Sequence, residues 1–300
     1  MIKRVKRCIR HILGRFGYEI VRTAPAPSSE SPLRVSTDLL AVLPEIVQRL
    51  QPAGLPPIDG YQLEMATYNL KTGMGDLEPE FFPLYERCRA FTMTSWERLY
   101  ALYLTVRYVV RANVAGDFVE CGVWRGGSMM MVALALLELG CRDRRLVLFD
   151  TFEGLPKPDE ARDVDIWGNR GIDGWAPHRK SDQSSDWAYA SLEEVRENIR
   201  STGYPMSHVS FVKGMVEDTL PAQAPVTIAM LRLDTDWYSS TQHELEHLFP
   251  RLSRYGTLIL DDYGHFKGAR QATDEYLAKL QQPPLLVRVD YAGRVGIKVM

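Results

Sequence analysis

The stretch VTIAMLRLDTD, residues 226–236, is an apolar run that ends in two aspartates, Asp234 and Asp236. A second run, GTLILDD, residues 256–262, ends the same way in Asp261 and Asp262. Apolar runs of this length without polar alternation mark strands covered on both faces, as in a parallel sheet. Carboxylates at the ends of such strands stand at the rim where open α/β sheets bind ligands. If the two strands are neighbours, their ends lie about 5 Å apart. Carboxylates converging at that distance repel one another, and a hard cation, Mg²⁺ or Ca²⁺, relieves the repulsion. A strand-end aspartate is also a common turn or helix cap. Two acidic pairs on adjacent strands favour the metal.

Working outward, the same rhythm recurs on both sides. DFVEC (117–121) predicts a strand, VECGVWRGGS (119–128) a glycine-rich turn, and Met129 to Leu139 an apolar helix. LVLFD (146–150), HVSFVKG (208–214) and the two acid-tipped runs are further strands, with helices over 192–199, 240–249 and 269–280 between and after them. Residues 94–112 read as a helix with capping oxygens at Thr94 and Ser95. LLVRVDY and RVGIKVM, joined around Ala292-Gly293, read as a hairpin. Alternating βα units with apolar strands give an α/β fold, a doubly wound and mostly parallel sheet with an antiparallel pair at its C-terminal edge. The segment 151–190 has no clean periodicity and holds Trp167, Trp175 and Trp187. A long irregular stretch inside a compact domain reads as a lid-like insertion or as a packed one.

The glycines at 122, 126 and 127 follow a strand and open a helix, where backbone approaches a ligand closely and anions are favoured. Trp124 occupies the place of the second glycine of the dinucleotide pattern and crowds a pyrophosphate. The turn therefore suits a nucleoside cofactor without a pyrophosphate, S-adenosylmethionine rather than NAD. Asp150, ending the next strand, suits ribose hydroxyls, because a carboxylate can accept from both. His265 is a candidate base or outer ligand. His243 and His247, with Glu244 and Glu246 around them, lack a third ligand type and read as a solvated helix face.

Composition sets the outer bounds. The 300 residues carry a net charge of −2, so nothing in the whole chain points to nucleic acid. Cysteines at 8, 88, 121 and 141 show no metal spacing, which predicts a reduced, cytoplasmic protein. No apolar run reaches the roughly 18 residues of a spanning helix. Residues 1–33 stand apart: a basic amphipathic helix over 1–22, then the Pro/Ser-rich linker TAPAPSSESPL (23–33). The helix suits anionic lipid, hence peripheral contact at the inner membrane face, or packing on the body or a partner subunit. Residues 34–93 are expected to form a helical cap region before the main domain, 94–300.

The motifs DFVECGVWRGGS, LFDTFEGLP, LRLDTDWYSST and LILDDYGHFKGARQA, with the lead-in MTSWERLYALYLTVRYVV, resemble the macrocin O-methyltransferase family. The resemblance covers roughly residues 90–280. It implies a seven-stranded class I methyltransferase sheet, S-adenosylmethionine as methyl donor, Mg²⁺ or another divalent cation, a sugar acceptor with vicinal hydroxyls, and assembly into homo-oligomers. It assigns the metal to Asp234, Asp261 and Asp262, and the cofactor to Thr94, Ser95, Glu120, Gly122, Ser128 and Asp150. Asp234, with His265 second, is then the expected proton acceptor. Alternatives are a catechol-type methyltransferase, an NAD-dependent sugar oxidoreductase, against which Trp124 speaks, and a non-catalytic binding module.

Overall fold

The structure, a computed structural model, describes residues 77–181 and 183–300. The expected basic helix, the linker and most of the cap region lie outside the described residues. What is described of the segment before residue 94 contains one helix, α1 (Phe81–Cys88).

Seven strands form one sheet in the order β3-β2-β1-β4-β5-β7-β6. They are β1 (Asp117–Cys121), β2 (Leu146–Asp150), β3 (Val209–Lys213), β4 (Ile228–Leu233), β5 (Leu252–Leu260), β6 (Val287–Arg288) and β7 (Arg294–Ile297). The first five pair in parallel, and β7 runs antiparallel to both β5 and β6. The doubly wound reading therefore holds, including the C-terminal hairpin. The chain leaves β1 in one direction towards β2 and β3, and returns on its other side as β4 and β5. That reversal makes the C-terminal ends of β1 and β4 the switch point, where open sheets bind ligands.

Helices cover both faces. α2 (Trp96–Arg111) is capped by Ser95, whose hydroxyl accepts from the Arg98 amide, and buries the stripe Leu99, Leu102, Tyr103, Val106 and Val109. α3 (Gly127–Glu138) is buried over most of its length, as its unbroken apolar sequence requires. The insertion after β2 contributes the single turn α4 (Gly171–Trp175). α5 (Leu192–Ser201) and α6 (Val216–Thr219) flank β3 in sequence. α7 (Tyr238–Leu248) and α8 (Lys267–Leu277) follow the two acid-tipped strands. The core is aliphatic and lies along the sheet, from Val119 and Val147 through Leu231 to Leu258. Among the described residues, no helix is long and apolar enough to cross a membrane.

The insertion is packed rather than loose. Trp175 is buried and its indole N–H donates to the Leu155 carbonyl at 2.9 Å. Trp237, at the head of α7, donates to the Pro156 carbonyl at 3.0 Å and stacks edge-on with Phe266 at 5.0 Å. The buried Asp163 accepts from the amides of Asp159 (2.7 Å) and Tyr238 (2.8 Å), tying the insertion to the start of α7. The aromatic spacing that gave no period along the sequence is thus spent on tertiary packing.

Candidate active site

The ends of β1, β2, β4 and β5 open into a cavity of about 260 Å³. Its walls include Thr94, Gly122, Ser128, Asp150, Asp234, Asp236, Asp261, Asp262 and His265, so most of the sequence-predicted site residues converge.

Register explains the convergence. Cys121 pairs with Leu233, and Leu233 with Leu260, so the residues after them share one rim. The Asp234 amide donates to Cys121 O (2.9 Å) and the Asp261 amide to Leu233 O (3.0 Å). Carboxylate oxygens of Asp234, Asp261 and Asp262 come within 4.8 Å of one another. Asp236 sits in the left-handed region at φ 66°, which aspartate tolerates better than most residues. Its amide donates to Asp262 Oδ2 at 3.1 Å.

Beneath the cluster lies Arg232, 2% exposed and set within the otherwise apolar β4. Its guanidinium binds Glu120, Asp261, Asp234 Oδ2 (2.7 Å) and the Thr94 hydroxyl (3.1 Å). Arg98, in the first turn of α2, binds the other oxygen of Asp261 and stands 3.0 Å from Asp290 Oδ2. Five carboxylates crowd here (Glu120, Asp234, Asp236, Asp261 and Asp262), and among the described residues two cations, Arg98 and Arg232, are paired with them. Three negative charges are therefore left over when all five are ionised. Burial, then the like charge of neighbouring carboxylates, holds the carboxyls of Asp236 and Asp262 well above the usual range. Asp234 is raised by burial against the pull of Arg232, and Glu120 is raised by burial to about 7. A clustered, all-oxygen donor set with surplus negative charge fits a hard divalent cation and not a thiophilic one. Asp234, Asp261 and Asp262 would hold it.

Two predicted cofactor residues are placed elsewhere. Glu120 is 1% exposed and faces inward to Arg232, so it balances charge below the site and does not line the cavity. The Ser95 hydroxyl is committed as the cap of α2 and as a donor to Asp290 Oδ2 at 2.9 Å. Thr94 does line the cavity, with Thr92 and Met93 beside it.

The glycine turn is shaped by the protein as much as by a ligand. A Cβ on Gly122 would meet the Asp234 carbonyl oxygen at 2.0 Å, and φ there is +79°. A Cβ on Gly127 would meet the Phe91 backbone at 2.6 Å. These two glycines let β4 and the lead-in to α2 approach β1 and α3. Asp150 then organises the turn: Oδ2 accepts from the Val123 (2.6 Å) and Trp124 (3.2 Å) amides, and Oδ1 from Phe152 (2.6 Å). A carboxylate has about four acceptor positions. Three of these are in use here.

His265 lines the cavity and packs edge-on to Trp167 at 5.5 Å. Burial lowers its pKa below the usual imidazole range. The expected solvated face of α7 is corrected at Glu244, which is fully buried behind the cluster and accepts from the Thr235 hydroxyl at 3.2 Å. Sequence reasoning missed Arg98, Arg232 and Tyr291. A lone arginine in a run otherwise read as buried strand was the available signal for Arg232.

The family model for macrocin O-methyltransferases matches residues 86–295. Demethyldecarbamoylnovobiocin O-methyltransferase of Streptomyces niveus is 37% identical over 68% of this chain and 74% of its own length. The 8-demethyl-8-(2,3-dimethoxy-α-L-rhamnosyl)-tetracenomycin-C 4'-O-methyltransferase of Streptomyces olivaceus is 34% identical over the same shares. The solved structure of the O-methyltransferase NovP superposes with a TM-score of 0.59 at 35% identity, covering 70% of this chain and 83% of that one. The calicheamicin methyltransferase CalS11, 18% identical, superposes with a TM-score of 0.53 over 91% of this chain and 99% of that one, and supports the fold alone.

Proposed function

The chain belongs to the macrocin O-methyltransferase family and is an S-adenosylmethionine-dependent O-methyltransferase, and we propose that its acceptor is one of two neighbouring hydroxyls of a sugar on a natural product or surface glycan, with Mg²⁺ or another divalent cation at the aspartate cluster. The observation that carries this reading is the placement of Asp234, Asp261 and Asp262 in the same cavity as the glycine turn and Asp150. Methyl donor and chelated diol can then meet without either leaving its subsite. Relatives whose names specify glycosylated acceptors support the sugar over a catechol.

A sugar hydroxyl is a poor nucleophile because its pKa lies far above 7, and a cation at the cluster would lower that pKa and fix both oxygens. The chain's own residues do the rest. Gly122, Ser128, Asp150 and Thr94, which line one cavity, would hold S-adenosylmethionine, the methyl donor. Asp236, which lines the cavity beside Asp262 and is held by no guanidinium among the described residues, is a candidate to take the proton. Asp234, the proton acceptor expected from sequence, stands 2.7 Å from the Arg232 guanidinium and is also one of the proposed metal donors. His265, half-buried on the cavity wall, is a further candidate. Alignment of acceptor oxygen with the methyl, and exclusion of water by the packed insertion, account for the remaining barrier reduction.

Asp262→Asn is the test. It should nearly abolish methyl transfer and leave calorimetric affinity for S-adenosylhomocysteine unchanged. Wild-type turnover at saturating acceptor would overturn the metal assignment. We also infer a homo-oligomer and peripheral contact of residues 1–22 with anionic membrane. Light scattering reads the first. Liposome flotation of the full chain against one starting at Leu33 reads the second, and equal recovery would remove it.

A further inference from the structure

The three tryptophans in the insertion differ in exposure: Trp175 is buried, Trp187 is half-buried on the cavity wall, and Trp167 is exposed. Trp175 is 2% exposed, and Trp187 packs against Trp237 with centroids 6.0 Å apart. Trp167 is 41% exposed. It stands in a triangle of rings with His265 (5.5 Å) and Tyr291 (6.4 Å), which are themselves 5.9 Å apart. His265 and Tyr291 line the cavity, and Trp167, which is not itself a wall residue, packs on both. Met93, another wall residue, is 65% exposed, so the mouth has an apolar rim.

Trp167 is held in this exposed position by a rigid turn. The buried Asp165 accepts from the Trp167 amide (2.9 Å), the Asn169 amide (2.9 Å) and the Asn169 side chain (2.7 Å). The Ile166 amide donates to the His265 carbonyl at 3.0 Å, and the His265 and Phe266 amides donate to the Asp262 carbonyl at 2.9 and 3.0 Å. A chain of backbone bonds therefore fixes the indole relative to the Asp262 carboxylate. An exposed aromatic ring, pre-ordered and registered to the reaction centre, loses little entropy when a ring is laid on it.

We propose that Trp167, flanked by Tyr291 and His265, is an acceptor platform that stacks on the ring system attached to the methylated sugar. The proposal rests on the sugar reading above. A sugar whose diol reaches Asp261 and Asp262 occupies the inner cavity, so what arrives at Trp167 is the group the sugar carries. The enzyme accordingly selects sugars already joined to an apolar or aromatic aglycone and discriminates against the bare sugar.

The test compares p-nitrophenyl glycosides with the matching methyl glycosides of a panel of hexoses and 6-deoxyhexoses, for wild type, Trp167→Ala and Trp167→Phe. Binding is read by calorimetry with S-adenosylhomocysteine and Mg²⁺, and transfer by initial rates. The aryl compounds should have KM values about three- to ten-fold lower, with kcat little changed. Trp167→Ala should erase that preference, Trp167→Phe should keep part of it, and both should keep wild-type affinity for S-adenosylhomocysteine. Methylation of glycosides without an aryl preference, or a preference untouched in Trp167→Ala, overturns the platform and leaves the sugar reading standing. Methylation of catechols with no binding of any glycoside overturns the sugar reading and the platform with it.

Discussion

Replacing Arg232 by methionine probes the charge network under the cluster. Arg232 is 2% exposed and ion-pairs with Glu120, Asp234 and Asp261. Removing one partner of a buried ion pair costs about 3–5 kcal/mol, because the other charge is left uncompensated. Three carboxylates lose a partner here, but the cost does not triple. Glu120, raised to about 7, takes up a proton near neutral pH, and Asp261 retains Arg98. The expected loss thus stays at about 3–5 kcal/mol, which for a unit of this size lowers Tm by about 6–20 °C. Mg²⁺ should restore part of it, since a cation at the cluster offsets Asp234 and Asp261 but does not reach Glu120. Thermal unfolding followed by circular dichroism, with and without Mg²⁺, measures both. A loss below about 1 kcal/mol, or one indifferent to Mg²⁺, would refute the reasoning.

Other substitutions separate the roles of neighbouring groups. Asp150→Ala leaves two amides of the glycine turn and that of Phe152 without an acceptor and should weaken S-adenosylhomocysteine binding about 10- to 100-fold by calorimetry. Gly122→Ala combines a positive φ with a contact on the Asp234 carbonyl and should destabilise by about 2–4 kcal/mol in urea unfolding. Glu244 has a carboxyl pushed well above its usual pKa by burial, so its contribution to stability is present at low pH and is lost as pH rises through the folded value. Glu244→Gln should therefore raise Tm on the alkaline side of that transition and change it little on the acid side. Asp163→Ala should cost about 1–3 kcal/mol and increase proteolysis within residues 151–190, because the Asp159 and Tyr238 amides lose their acceptor.

Much of the fold was legible because buried parallel strands are written as unbroken apolar runs: DFVEC and LVLFD were delimited to the residue. Neighbouring acid-tipped strands were legible for the same reason. What escaped was tertiary. Arg98 carries an ordinary residue for a first helical turn, and only the fold brings it to Asp261. The resemblance gave Glu120 as a cofactor position, and its ion pair with Arg232 inside the fold was not legible from the strand alone. Glu244 shares a helix with polar neighbours, and a helix face cannot be assigned to solvent until its partner is known. The insertion lacked a period because its contacts are tertiary: Trp175 bonds to the Leu155 carbonyl, and Trp237 from outside the insertion bonds to the Pro156 carbonyl.

The central claim is that the three aspartates hold a divalent cation beside the S-adenosylmethionine cleft. Titration of Mn²⁺ into the protein with S-adenosylhomocysteine bound, followed by electron paramagnetic resonance, tests it without knowledge of the acceptor. One Mn²⁺ per chain, displaced by Mg²⁺ and lost in Asp262→Asn, is the expected result. No binding, or equal binding by Asp262→Asn, would contradict the account.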